Sequence, residues 1–180
     1  MSTHSVVAVL SAAALAAGCA GSQPSASSIP GPGLGRLAST QEIAAWDISI
    51  PPSGAGLPPG SGSVVQGEAV YAAKCQACHG AKGAGKPADP LVGGIGSLAS
   101  GKAQLTVGSY WPYATTLFDY VRRAMPTTNP LSLSNDEVYA VSAYLLHLNG
   151  IVDSAAVMDA RTLPQVKMPN RDGFVDWSRR

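Results

Sequence analysis

The chemistry this chain of 180 residues could perform is concentrated in one run, Cys75-Gln76-Ala77-Cys78-His79. Two cysteines three apart, with histidine directly after the second, is the attachment signature of c-type haem. One helical turn presents both sulfurs to the two vinyl groups of a haem, giving two thioether bonds. The next residue then lies beneath the iron, where imidazole is a strong axial donor. Covalent attachment also holds the cofactor in a small domain that could not fully enclose it. Rival chemistries fit less well. A structural zinc site needs further ligands, but the one other cysteine is Cys19, and His4 and His147 stand in no paired-ligand spacing. A thioredoxin-type disulfide needs a strand before the CxxC, whereas Val64–Lys74 reads as a helix. Gly80-Ala81-Lys82-Gly83-Ala84-Gly85-Lys86 matches the first seven positions of a phosphate-binding P-loop. The eighth, where Ser or Thr would hold magnesium, is Pro87, and no strand leads in. This run is therefore expected to be a glycine-rich turn around a haem edge.

Iron in an electron carrier normally takes a sixth ligand from the protein, and methionine there raises the reduction potential. Met125, in Arg123-Ala124-Met125-Pro126, follows a predicted helix and lies 46 positions beyond His79. Pro126 ends that helix and frees the thioether from regular packing. Met168, in Lys167-Met168-Pro169, is the rival, expected in a polar tail far from the core. His147 reads as a partly exposed surface histidine. With His79 and Met125 both on the iron no coordination position stays open, so the chain is expected to relay electrons and not to catalyse. A haem enzyme or sensor whose Met125 dissociates is a separate, open reading.

The elements that must position these residues are helical. Val64–Lys74 carries apolar residues at Val65, Ala69, Val70 and Ala73, a helical stripe. Gly80–Gly101 is an irregular loop. A second helix is expected from Trp111–Pro112 to Ala124, with Ala114, Leu117, Phe118 and Val121 on its apolar side. The third opens at a capping box, Ser134-Asn135-Asp136-Glu137, places Val138, Val141, Leu145 and Leu148 on one face, and stops at Asn149-Gly150. An all-α domain over 64–150 follows. It is flanked by an arm over 20–63, tether-like at Gly21–Arg36, and by a C-terminal arm over 151–180. Charged residues are 13% of the chain while Gly and Pro number 20 and 14, which suits short helices joined by long loops. The net charge of +1 gives no case for nucleic acid. Residues 74–125 carry six cations against Asp89 and Asp119, a local +4 that could steer an acidic partner or simply be solvated.

The N-terminus has an apolar run, Val6–Ala17, too short to span a bilayer, ending in Ala16-Ala17-Gly18-Cys19. This resembles a bacterial lipoprotein signal over 1–19, in which Cys19 becomes a lipidated anchor to the membrane. Its leader has no Lys or Arg, and cleavage after Ala20 is the alternative. Either route exports the chain, as c-type haem attachment also demands, so a periplasmic location is expected.

Helix, CxxCH, glycine-rich loop, Met-Pro and C-terminal helix together resemble the class I cytochromes c. That resemblance implies one covalent haem c and a close crossing of the first and last helices, with Gly67 meeting the aromatic Tyr144. It implies a proline carbonyl, here Pro90, that accepts the proximal imidazole N–H. It also implies an aromatic at a haem propionate, Trp111 or Tyr110. Longer stretches extend the likeness: Trp46-Asp47-Ile48, Gly56-Leu57-Pro58-Pro59-Gly60, Trp111-Pro112-Tyr113, Phe118 to Pro126, and Lys167 to Phe174. These resemble the cytochrome subunits of bacterial molybdenum sulfite or sulfur dehydrogenases. A molybdenum-containing dehydrogenase subunit is thereby implied as electron donor and a downstream cytochrome or oxidase as acceptor. A free-standing, lipid-tethered carrier is the alternative. Trp46, Ile48, Phe174 and Trp177 are apolar anchors on the arms that would either embrace such a partner or fold back on the haem domain.

Overall fold

A computed structural model of the protein describes residues 33–175 and 177–179. The leader and Cys19 lie outside the described residues. The chain divides after Thr40, and Gln41–Arg180 is one compact unit. In chain order the elements are α1 (Thr40–Trp46), β1 (Ser61–Ser63), α2 (Val64–Lys74), α3 (Gln76–His79), α4 (Ala114–Ala124), α5 (Asn135–Leu148) and β2 (Val157–Asp159). Among the described residues no helix is long and apolar enough to cross a membrane.

Helices α2 and α5 both begin at capping boxes. The Ser63 Oγ accepts the Gln66 amide and the Gln66 side chain accepts the Ser63 amide. Ser134 and Glu137 repeat the arrangement. Each box satisfies amides that a helix start would otherwise leave unpaired. The buried face of α2 is not the expected stripe of Val65, Ala69, Val70 and Ala73. Val64, Gly67 and Tyr71 are buried instead, and Val65 is 73% exposed. The cause is a close helix crossing: a Cβ on Gly67 would lie 1.9 Å from the Ala140 carbonyl oxygen of α5 and 2.8 Å from the Tyr144 Cβ. One turn along, the Tyr71 and Tyr144 rings pack at 5.4 Å. Helix α4 starts three residues later than expected, because Trp111–Tyr113 lead into it with Tyr113 extended. Its apolar side is the expected one, with Ala114, Leu117, Phe118 and Val121 all buried.

Two features depart from a purely helical domain with trailing arms. Strands β1 and β2 form a small antiparallel sheet, Gly62 opposite Met158. This sheet lies so close on α5 that a Cβ on Gly62 would fall 2.2 Å from the Ala140 nitrogen. The C-terminal segment is no loose polar tail: Met158, Leu163 and Met168 are buried in the main core, which corrects the placing of Met168 outside it. On the N-terminal side Ile50 is buried in the same core, and the Tyr139 hydroxyl donates to the Pro58 carbonyl at 2.8 Å. Residues 48–63 on one side and 157–168 on the other therefore fold back on the helices. Trp46, Phe174 and Trp177 stay largely exposed.

Candidate functional site

The CxxCH run is built as a single turn. Helix α2 ends at Cys75, and α3 follows at once, with the Cys78 and His79 amides both donating to the Cys75 carbonyl. The Tyr71 hydroxyl donates to the Gly80 carbonyl at 2.8 Å and pins the exit of this turn. Burial pushes the Tyr71 phenol up to about 12, so it remains a donor at any ordinary pH. The glycine-rich loop then doubles back. Gly85 donates to the His79 carbonyl at 2.7 Å, Ala88 to Cys78 at 2.9 Å, and Leu91 to Gly83 at 2.9 Å. Amides that a phosphate cradle would aim outward are bonded to the chain's own carbonyls, as the reading of a haem-edge turn requires. Gly80 has φ +72, and a Cβ there would sit 2.4 Å from the Gly85 oxygen. Glycine is needed at that position on both counts.

The return of the loop orients His79. Its Nδ1 lies 3.1 Å from the Asp89 carbonyl oxygen, one residue before the expected Pro90. The correction is a matter of turn geometry, since Pro90 itself lines the cavity beside the ring. A carbonyl oxygen can only accept, so Nδ1 carries the proton and Nε2 presents its lone pair, the form a metal-ligating imidazole needs.

Cys75, His79, Pro90, Trp111 and Met125 line one cavity of about 360 Å³. Leu91, Leu105 and Val107 from the loops, Leu117 and Val121 from α4, and Val141 and Leu145 from α5 make most of its remaining wall. Met125 arrives there because α4 ends at it: its amide donates to the Val121 carbonyl and its own backbone is extended. Leu117 and Val121, four residues apart, share one stripe of α4 that faces the cavity, and Met125 follows at the helix's C-cap. Cys78 stands three residues along the motif from Cys75 and is exposed. Of the two aromatic candidates, Trp111 lines the cavity, with its ring edge-on to Tyr120 at 5.6 Å. Tyr110 instead packs against Phe174, outside the lining. Met168 and His147 do not line this cavity, and the His147 Nδ1 lies 3.1 Å from the Val152 carbonyl.

The residues suit a flat apolar cofactor carrying a metal. An imidazole nitrogen and a thioether sulfur are brought to one slot with mostly hydrocarbon walls, of a size usual for cofactor pockets. Burial pushes the Cys75 thiol up to about 11. Among the described residues no cluster of three His, Cys, Asp or Glu could hold a bare metal ion.

Sequence reading missed two polar residues. Asn149 caps α5 and reaches into the loop: its Oδ1 accepts the Gly93 amide at 3.2 Å, and its Nδ2 donates to the Leu91 and Leu145 carbonyls at 3.2 and 2.9 Å. Its pairing with Gly150 signals a helix stop but not this bridge. Asp119 is buried on α4, where it accepts the Ile50 amide at 2.8 Å and is paired with Arg123. Burial alone would raise its carboxyl. Hydrogen bonds from Arg123 and Ile50, with the charges of Arg123 and Arg122, outweigh that and hold it below the ordinary carboxylate value.

The cytochrome c family model matches residues 64–149. Among solved structures, a chain of the sulfane dehydrogenase SoxCD from Paracoccus pantotrophus is 44% identical, covering 82% of this chain and 73% of that one, with a TM-score of 0.76. No curated protein sequence matches.

Proposed function

Because the chain belongs to the cytochrome c family, has the class I fold and binds covalent haem c for electron transfer, we propose that it is the electron-accepting cytochrome subunit of a sulfur-compound dehydrogenase. The observation that carries the proposal is the 44% identity with a sulfane dehydrogenase chain, which covers 82% of this chain and so is not confined to the haem domain over 64–150. The donor would be a molybdenum-containing sulfite or sulfur dehydrogenase subunit, and the acceptor a downstream cytochrome or oxidase. The chain would act in the periplasm after export, held to the membrane if Cys19 is acylated.

Haem c supplies one-electron iron(III)/iron(II) chemistry when bound. Cys75 and Cys78 would carry its two thioether bonds, and His79 and Met125 would hold the iron from two different elements. The Asp89 carbonyl keeps the His79 ring turned and the proton of the neutral ring on Nδ1, which leaves Nε2 as the ligating nitrogen. Leu117, Val121, Val141 and Leu145 exclude water from the slot. Their low polarity disfavours the more positive oxidised iron, and so works with the methionine to raise the potential. Trp111 would stand at a haem propionate.

The test is the molybdenum-to-haem ratio of the protein purified gently from its native host, with the haem spectrum followed after adding sulfite and then a sulfane-sulfur compound. Molybdenum near one per haem, with prompt reduction by either compound, is expected. Haem without molybdenum, and no response to either, would leave a free-standing carrier.

A further inference from the structure

Helix α4 carries two stripes with different tasks. Leu117, Val121 and Met125 line the cavity, while Thr115, Asp119 and Arg122 lie on another line of the same helix. That second line is bonded throughout to a segment from far upstream. The Thr115 hydroxyl donates to the Pro52 carbonyl at 3.0 Å. The Ile50 amide donates to Asp119 at 2.8 Å, and the Arg122 guanidinium donates to the Ile48 carbonyl at 3.2 Å. Residue numbers rise along one chain as they fall along the other, so residues 48–52 run antiparallel to the helix for about two turns. The Ile50 side chain, 4% exposed, is buried in the core beside these bonds.

The helix has reason to need this. It is 11 residues long and has no side-chain cap at its start. Helices of that length are marginal in water without tertiary partners. We propose that residues 48–52 are a splint that fixes the position of Met125 through α4, with Asp119 as the main fastening. The inference rests on the reading of Met125 as distal ligand. Asp119 and Thr115 are positioning residues: neither lines the cavity, and each acts on the sulfur through the helix. Arg123 holds the Asp119 carboxylate in place from the next turn. A methionine sulfur competes with external ligands for the iron, and it competes best when the protein has already placed it. Loosening the splint should favour the competitor without touching the cavity wall.

The experiment uses the haem-loaded full chain and the variants Asp119→Asn and Thr115→Val. The control is Met158→Ala, a core change in β2, which packs on β1 and α5. Each ferric protein is titrated with imidazole while the long-wavelength methionine–iron charge-transfer absorption is followed, and urea unfolding gives its global stability. Asp119→Asn and Thr115→Val are expected to bind imidazole about ten-fold more tightly than the parent, with Met158→Ala unchanged at comparable stability loss. If Asp119→Asn does not fold, the near-isosteric Thr115→Val alone decides. Imidazole affinity that follows global stability in all three variants, or that shifts in none, would overturn the splint. Absence of the charge-transfer absorption from the parent, or its survival in Met125→Ala, would instead remove the Met125 assignment, and the splint with it.

Discussion

At the scale of the residue, this protein depends on groups whose chemistry allows a single role. The carbonyl of Asp89 can only accept, which settles the proton on His79. Asp119 can stay ionised while buried because an amide and a guanidinium both donate to it. Its carboxyl titrates lower in the folded chain than in the unfolded one, where an aspartate titrates near ~3.9. The unfolded chain therefore takes up the proton first as pH falls. The contribution of Asp119 is complete above about pH 4 and fades below it, toward the folded value. Asp119→Asn should flatten that acid limb in urea unfolding from pH 5 to 2.5, and should cost roughly 1.5–3 kcal/mol at neutral pH, the usual worth of hydrogen bonds to a charge. Gly67→Ala should cost about 3 kcal/mol or more, since the added methyl meets the backbone of α5 and no flexible side chain can yield. Thermal unfolding of that variant checks it. CxxCH was legible because covalent attachment fixes its spacing. Whether Asp89 or Pro90 offers the carbonyl was not, because one residue of offset depends on how a glycine-rich loop turns.

At the scale of the element, the clearest sequence signals were local and self-contained. Helix α5 declares its start by a capping box and its end by Asn149-Gly150, and it forms between them. Its expected stripe is buried at Val138, Val141 and Leu145 and half-buried at Leu148, but the helix is buried all round from Val138 to Leu146. Helix α2 misled because its buried face is chosen by the partner it crosses. The crossing needs a glycine, and a count of apolar residues passes over Gly67 in favour of Val65. The loop over 80–113 has little regular structure; its own Ser97, Thr106 and Ser109 side chains tie it internally, and Asn149 fastens it to α5. Asn149→Ala would leave the Gly93 amide and a lone pair on Leu91 without that partner, at a cost of about 2 kcal/mol. Hydrogen exchange at Gly93 should accelerate by about ten-fold or more, while amides in the middle of α2 follow only the change in global stability. Equal acceleration at both places would show that Asn149 holds the whole fold and not the loop.

At the scale of the molecule, the haem domain is not separable from its flanks. Met158, Leu163 and Met168 reach the core from beyond α5, and Ile50 reaches it from before α2. A chain ending at Gly150 loses three buried side chains worth about 2 kcal/mol each. Its thermal transition should fall by roughly 20 °C or vanish. The return of these arms could not be read from the sequence, because a three-residue strand pair and scattered methionines have no periodicity to detect. What they accomplish gathers at Ala140. Gly62 of β1 and Gly67 of α2 both rest on the backbone of that one residue, with no room for a single added carbon at either place. The consequence concerns descent. Positions 62, 67 and 140 form one steric unit, so a lineage could enlarge any of them only by moving a helix or the sheet. Related sequences should vary freely at the exposed sites of α2 while this trio changes together or not at all.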